Sequence, residues 1–298
     1  MRLAGTSHRS SAAGAPGGRS PEASEPSRRG ETRPAVPFWA LIPAAGRGTR
    51  LRPLTAAVPK VLLPVGGRPM LEWALQEAVS SGAGAVAVIV AADQQEVRRF
   101  LASPAAAVHL AGVALEVVEQ PEPAGIGDAL IRCRPLTGDQ PFGVVVPDNW
   151  FASRAPALAE VAKTLFETGM DTIGLVEVGP EQEGLLGNVG GVEVEPIGGD
   201  SYRILAMADK AAGTFAIGGS GPMLRGCARY ALTPAFYDAL EAGADAEREG
   251  EWDDVPAFQR LTRRPGLAGH RLSARLFDLG NEIGYRAANA YLAGGRPL

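Results

Sequence analysis

Trp39 to Pro64, W-A-L-I-P-A-A-G-R-G-T-R-L-R-P-L-T-A-A-V-P-K-V-L-L-P, is the stretch that decides how this chain folds. It opens in an apolar run, Phe38 to Ile42, of strand length. The run breaks into a loop carrying Gly46 and Gly48, followed by Thr49, Arg50, Arg52 and Lys60, with Pro53 and Pro59 stiffening the path. A buried strand feeding a glycine loop brings backbone N–H groups close to phosphate. The glycines let the backbone approach a ligand without a Cβ in the way. Arg50 adds a planar fork of donors and Lys60 a point charge. Two familiar phosphate loops do not fit: no G-x-x-x-x-G-K-[ST] run follows Gly46, and the third glycine of a dinucleotide loop falls on Leu51.

Beyond this stretch, Pro69 to Gly82 carries apolar residues at helical spacing, with Pro69 suited to a first turn and Gly82 to a stop. Ala85 to Ala92 is a continuous apolar run, the mark of a strand covered on both faces. Asp93 is predicted to cap a helix running to about Leu101, and Val113 to Val118 reads as another strand. This alternation predicts an α/β fold, a mostly parallel sheet with helices on both faces, whose ligands lie at the carboxyl ends of the strands. Glu119 to Leu130 is a Pro- and Gly-stiffened turn before a helix. Gly143 to Pro147 is a strand ending in Asp148. A carboxylate there needs a cation or a positive side chain beside it, unless it caps a helix. From Asp171 the pattern changes to strands at Thr172–Val178, Val189–Glu195 and Tyr202–Ala208, separated by glycine-rich turns, which predicts a mixed-sheet extension. Helices are predicted at Pro234–Leu240 and Trp252–Leu261, around a charged loop from Ala242 to Glu251.

At 298 residues the chain can bury a sizeable core without disulfide staples. Cys133 and Cys227 are far apart and read as small buried hydrophobes in a reducing compartment, so the expected location is the cytoplasm. His8, His109 and His270 show no ligand spacing for zinc. A net charge of −4 argues against a nucleic-acid partner, and no apolar run approaches the ~20 residues of a membrane helix. Residues 1–36 hold six arginines and three glutamates among Ser, Ala, Gly and Pro, with no secretory apolar core. They are predicted to be a disordered tail ahead of a domain spanning 37–298; a polyanion-binding arm and an over-extended translation start are the other readings.

The string Pro43-Ala44-Ala45-Gly46-x-Gly48-Thr49-Arg50-Leu51-x-Pro53, with Pro59-Lys60-x-x-Leu63-Pro64, resembles the signature of the sugar-1-phosphate nucleotidylyltransferases. The resemblance runs over about residues 38 to 293. It implies a Rossmann-like, mostly parallel sheet with a sugar-binding extension. It also implies transfer of a nucleoside monophosphate from a nucleoside triphosphate to a sugar 1-phosphate, with Mg²⁺ as cofactor and a dimer or tetramer as the assembly. Ala44, Ala45, Gly46, Gly48, Thr49, Arg50 and Lys60 then hold the nucleotide, and Arg50, Lys60 and Asp148 are the catalytic groups. Gln120 and Gly125 fall where the family has a Gln that reads the base edge and a Gly near it; a solvated surface turn is the plainer reading. Asp148 takes the place of a metal-binding Asp. Phe277-Asp278-x-Gly280-Asn281-x-x-Gly284-Tyr285 resembles the second metal motif, so Asp278 is its partner. Two carboxylates from distant segments suit one Mg²⁺.

Gly187, Asp209 and Lys210 match positions that meet the sugar and its phosphate, although Asp209 replaces the usual Glu and Ala211 the usual Pro. Asp209 and Lys210 could equally be a solvated pair. Ala228 stands for a glycine, and Val255-Pro256 for a Thr-Asp pair. The motifs around Asp148 and Asp278 look like UTP–glucose-1-phosphate uridylyltransferases. Lys60-Val61-Leu62-Leu63-Pro64 and Gln120-Pro121 look more like thymidylyltransferases. UTP with glucose 1-phosphate is the expected pair, with dTTP or another phosphorylated acceptor as alternatives. Some relatives are non-catalytic regulatory subunits; the presence of Arg50, Lys60, Asp148 and Asp278 favours an enzyme.

Overall fold

The apolar run after Phe38 becomes strand β1 (Trp39–Pro43) in a computed structural model that describes residues 38–110, 112–179, 182, 186, 190–208, 223–243, 251–263 and 266–294. The tail, Gly187, Asp209, Lys210 and most of the charged loop before Glu251 lie outside the described residues. After β1 come a short hairpin, β2 (Pro64–Val65) and β3 (Arg68–Pro69), then α1 (Met70–Ser80) and β4 (Ala85–Ala91). They are followed by α2 (Gln95–Leu101), α3 (Pro104–His109), β5 (Ala114–Gln120), α4 (Ile126–Ile131) and α5 (Arg134–Thr137). Next are β6 (Phe142–Val145), β7 (Asn149–Ala152), α6 (Ala157–Thr168), β8 (Asp171–Val178), β9 (Val192–Gly198) and β10 (Ser201–Met207). The chain then forms β11 (Met223–Leu232), α7 (Ala235–Glu241), α8 (Val255–Leu261), β12 (Leu267–Arg271), β13 (Arg275–Asp278) and α9 (Glu282–Ala293).

Among the described residues, nine strands make one sheet in the order β5-β4-β1-β6-β11-β8-β12-β10-β9. β5, β4, β1 and β6 are parallel. β11 runs antiparallel between β6 and β8, β12 lies parallel to β8, and β10 and β9 close the far edge antiparallel. The sheet is therefore mixed beyond β6, as expected. β7 and β13 pair outside it as a separate two-stranded ribbon.

Side chains alternate across a strand, and both faces of this sheet are apolar. Ala40, Ile42, Val86, Val88 and Val90 pack with Leu71 and Leu75 of α1 and Val161 of α6. Leu41, Ala87 and Ile89 pack on the other side with Leu130 of α4, Phe236 of α7 and Phe258 of α8. Each fully buried Val, Leu, Ile or Phe among them contributes roughly 1.5–3 kcal/mol. Cys133 and Cys227 are buried and unbridged, and burial pushes both thiols up to about 12, which makes them unreactive. No helix among the described residues is long and apolar enough to cross a membrane.

Several local expectations give way to the structure. Asp93 caps nothing: α2 begins at Gln95, and the Gln94 side chain closes the turn by accepting the Ala91 N–H at 3.0 Å. Pro69 ends β3 and precedes α1 rather than sitting inside its first turn. Trp252 stands outside α8, in a loop. The long helix α6, with Leu158, Val161 and Leu165 buried on one side, has no counterpart in the sequence reading, nor does β7.

Asp171, at the start of β8, is fully buried. Its carboxylate accepts the Thr233 backbone N–H and, at 3.3 Å, the Thr233 hydroxyl. Burial outweighs these bonds and raises its carboxyl group to about 6. The folded protein thus holds this proton more tightly than the unfolded chain. The resulting stability is fully present below the unfolded-chain pKa and is lost as pH rises through about 6. Asp171→Asn removes the effect. The stability of the variant relative to the parent is expected to rise between about pH 4 and pH 7, by at most about 3 kcal/mol, in urea denaturation at the two pH values.

Candidate active site

From β1 the chain moves to β4 and β5 on one side, then returns to β6 on the other. Strand order therefore reverses between β1 and β6, the place where open α/β sheets bind ligands. The glycine loop leaves the end of β1 and Asp148 leaves the end of β6. A cavity of about 970 Å³ lies there, and its lining includes Ala45, Gly46, Gly48, Thr49, Arg50, Lys60, Gln120, Gly125, Asp148 and Asp278. Ala44 is not on its surface; it is buried behind the loop, its N–H bonded to Ile89 O at 2.8 Å. Gly48 has φ 62°, and a Cβ there would meet Lys60 Cβ at 2.8 Å. The loop thus needs glycine at 48 in order to fold back against Lys60.

Asp148 and Asp278 meet because β7 pairs with β13. Asn149 lies opposite Asp278, and the Leu279 N–H donates to Asp148 O at 2.7 Å. Lys60 Nζ donates to Asp148 Oδ2 as a close ion pair. Gly280 N–H donates to Asp278 Oδ1 at 2.7 Å. A Cβ on Gly280 would stand 2.9 Å from Asp278 Oδ1, 3.1 Å from Asp148 Oδ2 and 3.3 Å from Lys60 Nζ. The three charged groups thus surround a point that glycine leaves open. Burial works to raise the Asp148 carboxyl, but the Lys60 charge and hydrogen bond and the Arg50 charge outweigh it and hold it below its ordinary value. Asp148 is therefore an ionised oxygen donor. Two carboxylates around one small space fit a hard divalent cation that takes its other ligands from water and substrate phosphates. Among the described residues no third His, Cys, Asp or Glu joins them.

What holds Asp148 in place was not foreseen. Arg229 of β11 is almost wholly buried. Its Nε and Nη2 bind the two Glu77 carboxylate oxygens at 2.7 and 2.8 Å. Nη1 donates to Val146 O at 2.9 Å and Ala228 O at 2.8 Å, and Nη2 to Asn149 O at 2.5 Å. Val146 and Asn149 flank Asp148 on either side. Asn149 adds a bond from Nδ2 to Asp148 Oδ1 at 3.3 Å and accepts the Ala228 N–H at 3.1 Å. No spacing in the sequence links a glutamate on α1 to an arginine on β11.

Gln120 ends β5 and is buried, with its Nε2 donating to Gly125 O at 3.0 Å and Asp128 Oδ2 at 2.8 Å. Gly125 has φ 100°, and a Cβ there would collide with Trp252 O at 2.4 Å and Trp252 N at 2.6 Å. Its glycine requirement therefore comes from the Trp252 backbone, which is fastened on both sides: Gly127 N–H to Trp252 O, and Trp252 N–H to Ala124 O, each 2.8 Å. Arg50 and Thr49 are exposed on the loop. Gly187, Asp209 and Lys210, the expected sugar-side residues, are outside the described residues.

The chain belongs to the nucleotidyl transferase family, whose sequence model matches residues 39–210, more than half of its length. It is 27% identical over 275 residues to the UTP–glucose-1-phosphate uridylyltransferase of Pseudomonas aeruginosa, covering 84% of this chain and 94% of that one. The Mycoplasma genitalium protein of the same name is 27% identical over 279 residues, 85% of this chain and 91% of that one. Among solved structures, a UDP-glucose pyrophosphorylase complexed with UDP-glucose superposes with TM-score 0.76 at 22% identity, over 88% of this chain and all of that one. A UTP-bound enzyme of the same kind from Acinetobacter baumannii gives 0.71 at 22% identity, over 88% of this chain and 95% of that one. The structural likeness confirms the fold.

Two substitutions probe this geometry. Gly280→Ala places a methyl group among the Asp148, Asp278 and Lys60 side chains and is expected to lower turnover about 100-fold, as small misplacements at reacting centres do, while circular dichroism stays native. Glu77→Ala leaves the buried Arg229 charge without its partner and is expected to destabilise the fold by about 3–5 kcal/mol in urea denaturation.

Proposed function

We propose that this nucleotidyl transferase family member joins UTP to a sugar 1-phosphate, with glucose 1-phosphate as the primary acceptor, releasing pyrophosphate and a nucleoside diphosphate sugar. One observation carries the reading: Lys60, Asp148 and Asp278 converge beside the glycine loop, in the cavity that Gln120 also lines. The names of the relatives support UTP over dTTP, a choice that turns on one methyl group and is worth only ~1–3 kcal/mol. Convergence of the charged groups also favours catalysis over a regulatory role.

In this reaction an oxygen of the sugar phosphate attacks the α-phosphorus of UTP, the bond from that phosphorus to the bridging oxygen breaks, and pyrophosphate departs. The nucleophile is already an anion, so no general base is needed. The protein must instead bring anions together and offset their charge in an in-line transition state. Gly46, Gly48 and Thr49 would meet the triphosphate with backbone N–H groups, and Arg50 and Lys60 would hold it and the departing pyrophosphate. Asp148 and Asp278 would hold Mg²⁺, which supplies positive charge at the α-phosphate and orients it. Asp209 and Lys210, with Gly187, belong to the proposed sugar and sugar-phosphate side. Residues 37–298 form the catalytic domain in this reading, with 1–36 as a tail, a cytoplasmic setting and a dimeric or tetrameric assembly.

The test is pyrophosphate release with Mg²⁺, crossing UTP, dTTP, CTP, ATP and GTP against a panel of sugar 1-phosphates. UTP with glucose 1-phosphate is expected to be the fastest pair. Asp148→Asn and Lys60→Ala are each expected to lower kcat by about 10²–10³, the range for losing one group that stabilises transition-state charge. Unchanged turnover in both variants would sink the role assignments.

A further inference from the structure

We infer that Asp128, clamped by Arg132, decides which pyrimidine this site takes by locking Gln120 as a hydrogen-bond acceptor toward the cavity; the inference rests on the proposed placement of the base beside Gln120. A free glutamine amide offers two N–H donors and one acceptor oxygen, and it can turn over to present either to a ligand. Here it cannot. Both N–H groups are taken, by Gly125 O at 3.0 Å and Asp128 Oδ2 at 2.8 Å. Each of those atoms can only accept. A backbone carbonyl carries no proton, and Asp128 is held ionised. Arg132 Nε binds its Oδ2 at 2.8 Å and Nη2 its Oδ1 at 3.0 Å. Burial works to raise the Asp128 carboxyl, but the hydrogen bonds from Arg132 and Gln120 and the Arg132 charge bring it below its ordinary value. Turning the amide over would set Oε1 against two acceptors and forfeit both bonds. Gln120 Oε1 takes no hydrogen bond from the described residues and is the polar atom left to the cavity that Gln120 lines.

A fixed acceptor selects by proton. Uracil and thymine carry a proton on N3, at the centre of their base-pairing edge, and can donate it to Oε1. Cytosine carries a lone pair at N3, so where N3 faces Oε1 it meets oxygen with repulsion and a lost bond; only a shifted base could offer its N4 amino group instead. The selecting information lies at Asp128 on α4 and at its i, i+4 partner Arg132, the C-cap of that helix, neither of which need touch the base. Asp128 is a positioning residue in this scheme.

The experiment measures kcat/KM for UTP and for CTP with Mg²⁺ and glucose 1-phosphate, alongside calorimetric binding of each nucleotide. It compares the parent with Asp128→Asn, Asp128→Ser and Gln120→Leu. Asparagine and serine side chains can donate as well as accept, so either substitution removes one of the two acceptors that lock the amide, leaving Gly125 O as the only one. The UTP-to-CTP ratio is expected to narrow by at least about tenfold in both, within the range one good hydrogen-bonded match to a base edge discriminates. The change is expected in nucleotide KM and binding, with kcat for UTP and KM for glucose 1-phosphate within about twofold. An unchanged ratio in whichever Asp128 variant keeps the parent melting temperature overturns the inference. So does a fall in kcat alone, which marks a merely structural role. Gln120→Leu separates the two levels. If it collapses the ratio while the Asp128 variants do not, only the locking role fails. If it leaves the ratio intact, the base does not sit at Gln120, and the placement in the proposed function fails with it.

Discussion

Arg229 carries a full positive charge into the core, where five acceptor contacts surround its five N–H groups. A buried guanidinium lacking such partners is strongly destabilising. The Arg229 environment therefore cannot form piecemeal. It needs Glu77 from α1, the last turn of backbone after β6, the first residue of β7 and the strand β11 that carries it. The Phe151 ring adds a further face, with the guanidinium carbon 4.8 Å from its centre. Two of the accepting carbonyls, on Val146 and Asn149, bracket Asp148. The position of the central carboxylate is thus set by core electrostatics, not by the exposed loop opposite it.

A second constraint closes the site from the other side. Early strands supply the ends at which ligands bind, and late segments fasten onto them. β13 docks beside β7 and brings Asp278 and Gly280 to Asp148. The Trp252 backbone clips onto Ala124 and Gly127, next to Gln120. Both clips use glycine where a Cβ would collide, at 125 and at 280. The family match ends at residue 210, so these closing elements lie beyond it. The sheet, glycine loop, Gln120 and Asp148 make the platform; Trp252, Asp278 and Gly280 complete it.

The parts of this arrangement legible in the sequence are the local ones. The β1 strand and its glycine loop are punctuated by Gly and Pro over a few residues. The buried strand at Ala85 shows as an unbroken apolar run, and Asp148 ends another, whereas Asp278 was legible only through its resemblance to a family motif. Asn281 then caps α9, accepting the Gly284 N–H at 2.8 Å. Pairings between distant residues were not legible. Glu77 looks like any polar position on an amphipathic helix, and Arg229 like an ordinary strand charge. Asp93 looked like a cap because its residue type is right, yet α2 starts at Gln95 with no side-chain cap, and Gln94 instead accepts the Ala91 N–H at the end of β4. Gly125 lines the cavity, and its glycine requirement lies in the Trp252 backbone, which no local pattern announces.

Charge balance ties these pieces to the chemistry. Around the open point beside Gly280 stand two carboxylates and the Lys60 ammonium, with the Arg50 guanidinium near enough to act on Asp148. Their formal charges cancel. A neutral cluster attracts neither a triphosphate, at about −4, nor a sugar phosphate, at about −2, with much force at long range. A divalent cation on the two carboxylates would make the cluster strongly positive and would also compete with Lys60 for Asp148 Oδ2. The ammonium would then be driven from the carboxylate toward the incoming phosphates. In such a design Lys60 would have two partners in turn. Its charge and hydrogen bond hold the Asp148 carboxyl below its ordinary value, and the same positive charge would be available to the polyphosphate if a divalent cation took its place beside Asp148.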